Sequence, residues 1–435
     1  MAAATGTAAV NAARLAYSAL YYALLPVVVL RLLWRSRRDS DYRHRIGERF
    51  GFVAPQLNGA PVIWLHAVSV GETIAAAPLI EALLLRYPEH RLLVTSMTPT
   101  GSAQVRQRFG ERVAHCYAPY DTPTAVARFL RRTQPQIYLI METELWPNTV
   151  AACRRRGIPA LLLNGRLSAK SARGYQRFGR LSAELMANLT AIAAQTDADA
   201  QRFIALGLPA DACAVSGNIK FDLSLLPAQR QAAEQQRQLW GSNRQVWLAA
   251  STHPGEEGQL LEAFALLRKR YPQLLMVLVP RHPDRAVSIA AAVAENGLQL
   301  ARHSEQCGAE LLPSIDVVLG DTIGELLVFY GAADIAFVGG SLIERGGHNP
   351  IEPAVWGCPI VAGASQYNFS EASQLLIAAG AMQLVDGAQT LAESVASWLA
   401  DSAARTAFGR AGERIAAQNG GALERQLGVI GAQLN

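Results

Sequence analysis

Short apolar runs alternating with helix-period segments constrain this chain more than any other feature. Beyond residue 60, "PVIWLHAV", "RLLVTSM", "QIYLIME", "PALLLNG" and "TAIAAQT" are brief and partly β-branched. Between them, "AAAPLIEALLLRYP" and "DTPTAVARFLRRTQ" carry helical spacing. This alternation predicts parallel sheets, because parallel neighbours need a long crossover and a helix supplies it. The pattern breaks at "LSLLPAQRQAAEQQRQLWGSNRQ", Leu223 to Gln245, which is rich in Gln and Arg, carries a proline and reads as a linker with a polar helix. It resumes with "VWLAAST", "LLMVLVPRH", "DVVLGDT", "ADIAFVGGS" and "CPIVAGA". We therefore expect two α/β domains, 51–222 and 246–407, joined by a linker at 223–245. A helical segment at 408–435 has no strand after it and is expected to pack back on the first domain. The length of 435 residues is enough for two cores.

Residues 1–50 read as a membrane anchor and basic collar. "LAYSALYYALLPVVVL", Leu15 to Leu30, is uncharged, and Leu32 to Trp34 extend it past Arg31. A full span takes about 20 apolar residues. A cleaved signal peptide fits poorly, because "RLLWRSRR" follows the run with no small-residue cleavage site. From Arg31 to Arg49, seven arginines outnumber Asp39, Asp41 and Glu48. That bias places the bulk of the chain on the cytoplasmic side. Pro26 leaves open whether the segment spans or lies in the interface. With 17% charged residues, the chain is no polytopic membrane protein. Its net charge of +5 favours an anionic partner: a membrane, a nucleic acid or a phosphorylated substrate. Cys116, Cys153, Cys213, Cys307 and Cys358 are scattered, odd in number and form no C-x-x-C pair. They imply a reducing compartment, without disulfides or zinc.

In open α/β sheets, ligands sit beyond the carboxyl ends of the strands, and two facing domains would leave a cleft. The loops there are the places to look. In "WLHAVSVGETIAAAPLI", Glu72 is the lone charge, at a strand-to-helix turn. A first-turn glutamate paired with the helix dipole is the ordinary reading. A general base in a partly dry site is the alternative. "LIMETELWPN" adds Glu142 and Glu144. "NGRLSAKSARGYQRFGR" sets Arg166 and Lys170 nearest a strand end, with Arg177 and Arg180 read as a solvated face. "VSGNIKFD" places Lys220 near the domain junction. The D-x-D at Asp197 and Asp199 follows Thr196 as a helix start, not a metal site.

In the second domain, "LVPRHPDR" puts Arg281 at a strand end, suited to phosphate. "GDTIGEL" puts Gly324 at a helix start, where free N–H groups favour an anion. In "FVGGSLIERGGHNPIEPAVWG", Asn349, Pro350 and Glu352 are expected as N-cap, first turn and third position of a helix, a capping box. The same mouth suits a nucleotide. No P-loop motif occurs.

Seven stretches, "HAVSVGE", "METELWPN", "NGRLSAKSARGY", "GNIKFD", "PRHPDR", "DTIGEL" and "FVGGSLIERGGHNPIEPA", stand in an order that resembles the 3-deoxy-D-manno-octulosonic acid (Kdo) transferases of Gram-negative bacteria. The resemblance covers nearly the whole chain. It implies a GT-B glycosyltransferase fold, with two Rossmann-like domains facing a cleft and an N-terminal anchor helix. It implies inverting transfer of Kdo from CMP-Kdo to lipid IVA in lipopolysaccharide biosynthesis. The expected setting is the cytoplasmic side of the inner membrane, with no nucleic acid, metal or redox cofactor. Glu72 then matches the general base, and Glu142 and Lys220 match residues that stabilise the transition state. Pro280, Arg281, Ile323, Gly324, Glu325, Asn349, Pro350, Ile351 and Glu352 match the CMP-binding segments. Arg166 and Lys170 are our own assignment to acceptor phosphate. Two other readings fit the same loops: a membrane-bound transferase using a UDP sugar, and a nucleotide-binding scaffold without activity.

Overall fold

The computed structural model describes residues 2–37, 40–53, 57, 59–306 and 308–434, with side chains from residue 12 onward. Arg38, Asp39 and Cys307 of the sequence reading lie outside the described residues. Contacts divide the chain into two units: Met1–Asp222 with Gly420–Asn435, and Leu223–Asn419.

Among the described residues, the first unit holds seven strands: β1 (Val62–His66), β2 (Arg91–Ser96), β3 (Ala114–Tyr117), β4 (Pro135–Met141), β5 (Ala160–Gly165), β6 (Ala191–Ala194) and β7 (Cys213–Val215). Their order is β3-β2-β1-β4-β5-β6-β7 and every pairing is parallel. All five β1 residues are buried, as expected where helices cover both faces of a sheet. Alternation sends Val62 and Trp64 to a core with Phe129 and Tyr138, and Ile63 and Leu65 to one with Leu79 and Ile80. Trp64 stacks on Tyr138 at 3.8 Å between ring centres. Its Nε1 donates to Thr95 Oγ1 at 2.9 Å, so the buried indole keeps its hydrogen bond. Ser69, Thr98, Thr122, Ser168 and Thr196 each cap the helix that follows by accepting a backbone N–H. Asp199 is engaged in this way with Thr196 and with Leu167 N, consistent with a helix start.

The N-terminal helix Ala2–Arg35 runs unbroken through Pro26. Ala12–Arg35 is long and apolar enough to cross a membrane. Its first turns, however, dock on the unit through polar groups. Arg14 pairs with Glu184 (2.8 Å), Tyr17 Oη donates to Asp121 Oδ2 (3.0 Å) and Ser18 Oγ donates to Asn148 Oδ1 (3.0 Å). Leu15, Leu20, Leu24, Val27 and Leu30 are exposed.

The second unit repeats the architecture with β8 (Val246–Thr252), β9 (Leu275–Pro280), β10 (Leu300–Arg302), β11 (Val317–Leu319), β12 (Ile335–Val338), β13 (Ile360–Gly363) and β14 (Met382–Val385). The order is β10-β11-β9-β8-β12-β13-β14, again parallel.

Two expectations about segments differ from what is observed. The polar helix expected at 223–245 is present as Pro227–Trp240, but it belongs to the second unit rather than to a free linker. Its Trp240 is buried against Phe329, and Arg237 pairs with Asp334 at 2.9 Å. A polar majority in the sequence hides the apolar stripe of Ala233 and Trp240. The segment 408–435 is not one element. Ser402–Asn419 stays in the second unit, while Ala422–Leu434 joins the first, with Leu427 and Ile430 buried beside Leu79 and Ile80. The Asp222 carboxylate accepts from Gly421 N and Leu423 N, holding the start of that last helix.

Candidate active site

Strand order reverses direction between β1 and β4 in the first unit and between β8 and β12 in the second. Chemistry in open α/β sheets collects at such points, beyond the carboxyl ends of the strands. Each unit places candidate residues there.

In the first unit, Ser69 caps the helix Val70–Arg86, and Glu72 is its third residue. The Glu72 carboxylate reaches back to accept Val68 N at 2.8 Å, while Glu72 N donates to Ser69 Oγ at 3.4 Å. The dipole-pairing reading is thus part of the truth. The rest is electrostatic. Burial, then the charges of Glu144 and Glu142, push the Glu72 carboxyl up to about 8, against the pull of Val68 N–H and Lys220. Glu142 follows β4 with a left-handed backbone, φ 57°. Non-glycine residues in this region are strained and are enriched where side chains must be aimed. Its Oε1 lies 3.7 Å from Lys220 Nζ. Lys220 rides on the turn Ile219–Phe221, whose Ile219 N–H is taken by Asn164 Oδ1 at 3.1 Å. Asn164, in β5, is also left-handed at φ 52°. Glu144 accepts from Trp146 Nε1 at 3.1 Å, and the Trp146 ring meets the buried His66 ring edge-on. Burial drives His66 down to about 4, so it is neutral. Glu72, Glu142, Glu144 and Lys220 are therefore brought together. Arg166 N–H reaches Glu142 O at 3.4 Å, and the Arg166 and Lys170 side chains are exposed at that edge.

In the second unit, Arg281 directly follows β9 and its N–H binds Thr252 O. Its positive charge is felt by Glu352, whose carboxyl is raised by burial and pulled back by Asn349 and Arg281. The capping box expected at Asn349–Glu352 is not the observed arrangement. The helix is Ile351–Val355, preceded by Pro350. Asn349 Oδ1 accepts Ile351 N, and its amide donates to Glu352 Oε1 at 3.1 Å. Glu352 is thus held by a side chain and does not reach back to the backbone. Gly324 (φ 94°) lies two residues ahead of the helix Leu326–Ala332, with Ile323 exposed and Glu325 bonded to Thr322 and His303. Arg281 and Glu352 are electrostatically coupled, whereas Ile323–Glu325 occupies the loop after the neighbouring β11.

Three residues escape the sequence reading. His253 and His348 stack within 5° of parallel, with Nε2 atoms 2.8 Å apart. Burial lowers His348 to about 4 and lowers His253 too, so both rings are neutral and share one hydrogen bond. Glu256 is fully buried and accepts four backbone N–H groups, from His253, Gly340, Ser341 and Leu342, at 2.8–3.1 Å. Those bonds shape the loop after β12. A Cβ at Gly339 would sit 2.5 Å from Ser251 O, so only glycine lets β8 and that loop approach. The signal for Glu256 was present: a carboxylate soon after a strand end, as at Glu72. Among the described residues, no group of three or more His, Cys, Asp or Glu is placed to hold a metal ion.

The chain is similar to known proteins along nearly its whole length. Residues 44–223 match the family model described as 3-Deoxy-D-manno-octulosonic-acid transferase (kdotransferase). A 3-deoxy-D-manno-octulosonic acid transferase of Haemophilus influenzae is 38% identical over 424 residues, covering 96% of this chain and 98% of the relative. One of Bordetella pertussis is 39% identical over 422 residues, covering 94% and 96%. Among solved structures, a UDP-GlcNAc 2-epimerase from Neisseria meningitidis superimposes with TM-score 0.55 at 16% identity, covering 85% of this chain and 99% of that one. At that identity the likeness shows the shared GT-B fold of two Rossmann-like domains. With near-complete coverage on both sides of two alignments, this chain belongs to the 3-deoxy-D-manno-octulosonic acid transferase family and is a glycosyltransferase.

Proposed function

We propose that this enzyme moves Kdo from CMP-Kdo to lipid IVA with inversion at the anomeric carbon. An acceptor hydroxyl attacks that carbon from the face opposite the phosphate. One C–O bond forms, the bond to phosphate breaks, and CMP departs with the bonding pair. The hydroxyl proton goes to Glu72. The single observation carrying this reading is the Glu72 carboxyl, half-buried among acids and raised to about 8. A base whose pKa lies near the working pH is both available and able to take a proton.

Glu142 and Lys220, as an ion pair beside Glu72, steady the charge that develops during transfer. Arg281, the Ile323–Glu325 loop and the Asn349–Glu352 turn hold CMP: the guanidinium suits phosphate, and the Glu352 carboxylate suits ribose hydroxyls. Arg166 and Lys170 take acceptor phosphate. The apolar helix Ala12–Arg35 keeps the enzyme on the cytoplasmic side of the inner membrane, where such a lipid resides. Neither metal nor redox cofactor enters the step, so EDTA-treated enzyme keeps its full rate.

The test is mass spectrometry of lipid IVA after incubation with CMP-Kdo, for wild type and Glu72→Gln. Wild type adds at least one Kdo and the variant almost none. Addition by the variant at the wild-type rate ends the base assignment, and turnover only with UDP sugars ends the donor assignment.

A further inference from the structure

A cavity of about 710 Å³ opens on the first unit, between the N-terminal helix and the junction of the helices Ala169–Arg177 and Gly179–Asn188. Ala13, Ala16 and Leu20 line one wall, Phe178 and Leu181 the other. Its size falls in the range of small-ligand sites. We propose that this groove seats one acyl chain of the acceptor lipid, with Arg177 and Arg180 meeting an anionic group of the same molecule. The inference rests on the lipid-acceptor reading above and gives that acceptor a second foothold.

Four observations converge. First, the groove is held open. Arg14–Glu184, Tyr17–Asp121 and Ser18–Asn148 fix the helix against the unit, and the small side chains at 13 and 16 leave the space beside it unfilled. Second, its apolar walls are uncovered: Phe178 is 68% exposed and Leu20 60%. An exposed apolar slot of this kind marks a binding surface. Third, the rim is cationic. Arg177 and Arg180 line the groove and make no hydrogen bond or ion pair among the described residues. An apolar slot with unpaired guanidinium groups at its mouth complements an acylated anion. It does not complement a purely apolar peptide, and the adjoining exposed row of Leu24, Val27 and Leu30 is continuous with a lipid setting. Fourth, the groove lies along the flank of the acidic site. The helix Ala169–Arg177 begins just past the end of β5, beside Arg166 and Lys170, and its nine residues run about 13 Å toward Phe178. Tyr175, near its far end, still feels the charge of Glu144. A headgroup at the acids therefore leaves a chain within reach of the slot.

The probe is a pair of phosphorylated disaccharide acceptors, one with long acyl chains and one with the chains cut to acetyl groups. Both are assayed with CMP-Kdo and the full chain in detergent. The variant is Ala16→Trp, which fills the slot from an exposed helix position. In wild type, KM is expected to be lower for the long-chain acceptor. Ala16→Trp is expected to raise that KM about tenfold at constant kcat, while the KM for the short-chain acceptor changes less than twofold. Turnover of the short acceptor also reports that the variant is folded. Equal rises for both acceptors, together with lost vesicle co-sedimentation, overturn the inference and make the groove a general membrane contact. So does a wild type, active on both, whose KM ignores chain length. A wild type that transfers Kdo to neither acceptor overturns the lipid-acceptor reading itself, and this inference with it.

Discussion

Glu72 and Glu256 both follow the first-in-sequence strand of a seven-stranded parallel sheet, and they have opposite fates. Glu256 is fully buried, yet four backbone N–H groups converge on it. Glu72 is only half-buried, receives one N–H, and faces two other carboxylates. Charge-assisted hydrogen bonds stabilise an ionised acid, and like charges and desolvation oppose it. Glu256 is thereby a structural strut of the loop after β12. Glu72 is left with a proton it can exchange. Burial alone does not make a carboxylate reactive; the count of donors aimed at it decides.

The sharpest way to break this contrast is Glu72→Gln, which should lower kcat/KM about 10³-fold, roughly 4 kcal/mol at the transition state, with the fold intact. A loss under tenfold in a steady-state assay would remove Glu72 from the chemistry. Next in size, Glu256→Gln should cost about 3 kcal/mol of second-unit stability in a urea titration, since it turns an NH2 toward buried donors. Glu72→Gln in the same titration at pH 8.5 should cost nothing or stabilise slightly.

The pH dependence is a gentler test. The wild-type kcat/KM should climb with pH and level off above about 8, as the Glu72 carboxyl ionises. For stability the sign is the reverse. The folded carboxyl holds its proton to about 8 while the unfolded one releases it near 4.5, so stability from this group declines as pH rises across that window. Glu72→Gln should abolish the decline. The smallest effect is expected from Lys220→Met on the same profile. With that cation gone, the climb in kcat/KM should move to higher pH, apart from any drop in the plateau.

The sheets were legible because short β-branched runs between helical segments admit few other folds. Glu72 was legible as a helix-start residue, since Ser69, Gly71 and Glu72 are sequence neighbours. Its electrostatic setting was not, because Glu144 and Lys220 arrive from other strand ends, 72 and 148 positions away. The His253–His348 stack joins residues 95 apart and leaves no periodic trace. The packing of the helix Pro227–Trp240 into the second unit was hidden for a different reason: Ala233, Gln236 and Trp240 are its buried residues, and its glutamines and arginines dominate any average over the segment. Likewise, the docking of Arg14, Tyr17 and Ser18 is invisible in an apolar run, where a few polar atoms do the attaching.

The helix Ala422–Leu434 carries one more implication. Its Leu427 and Ile430 complete a core whose other members precede residue 220, with all of Leu223–Asn419 intervening. During translation the amino-terminal unit must wait, with that patch open to water, until nearly two hundred further residues have been made. Stalled or truncated chains would thus be sticky where the finished one is sealed, and a trigger for chaperone capture is built into the order of synthesis.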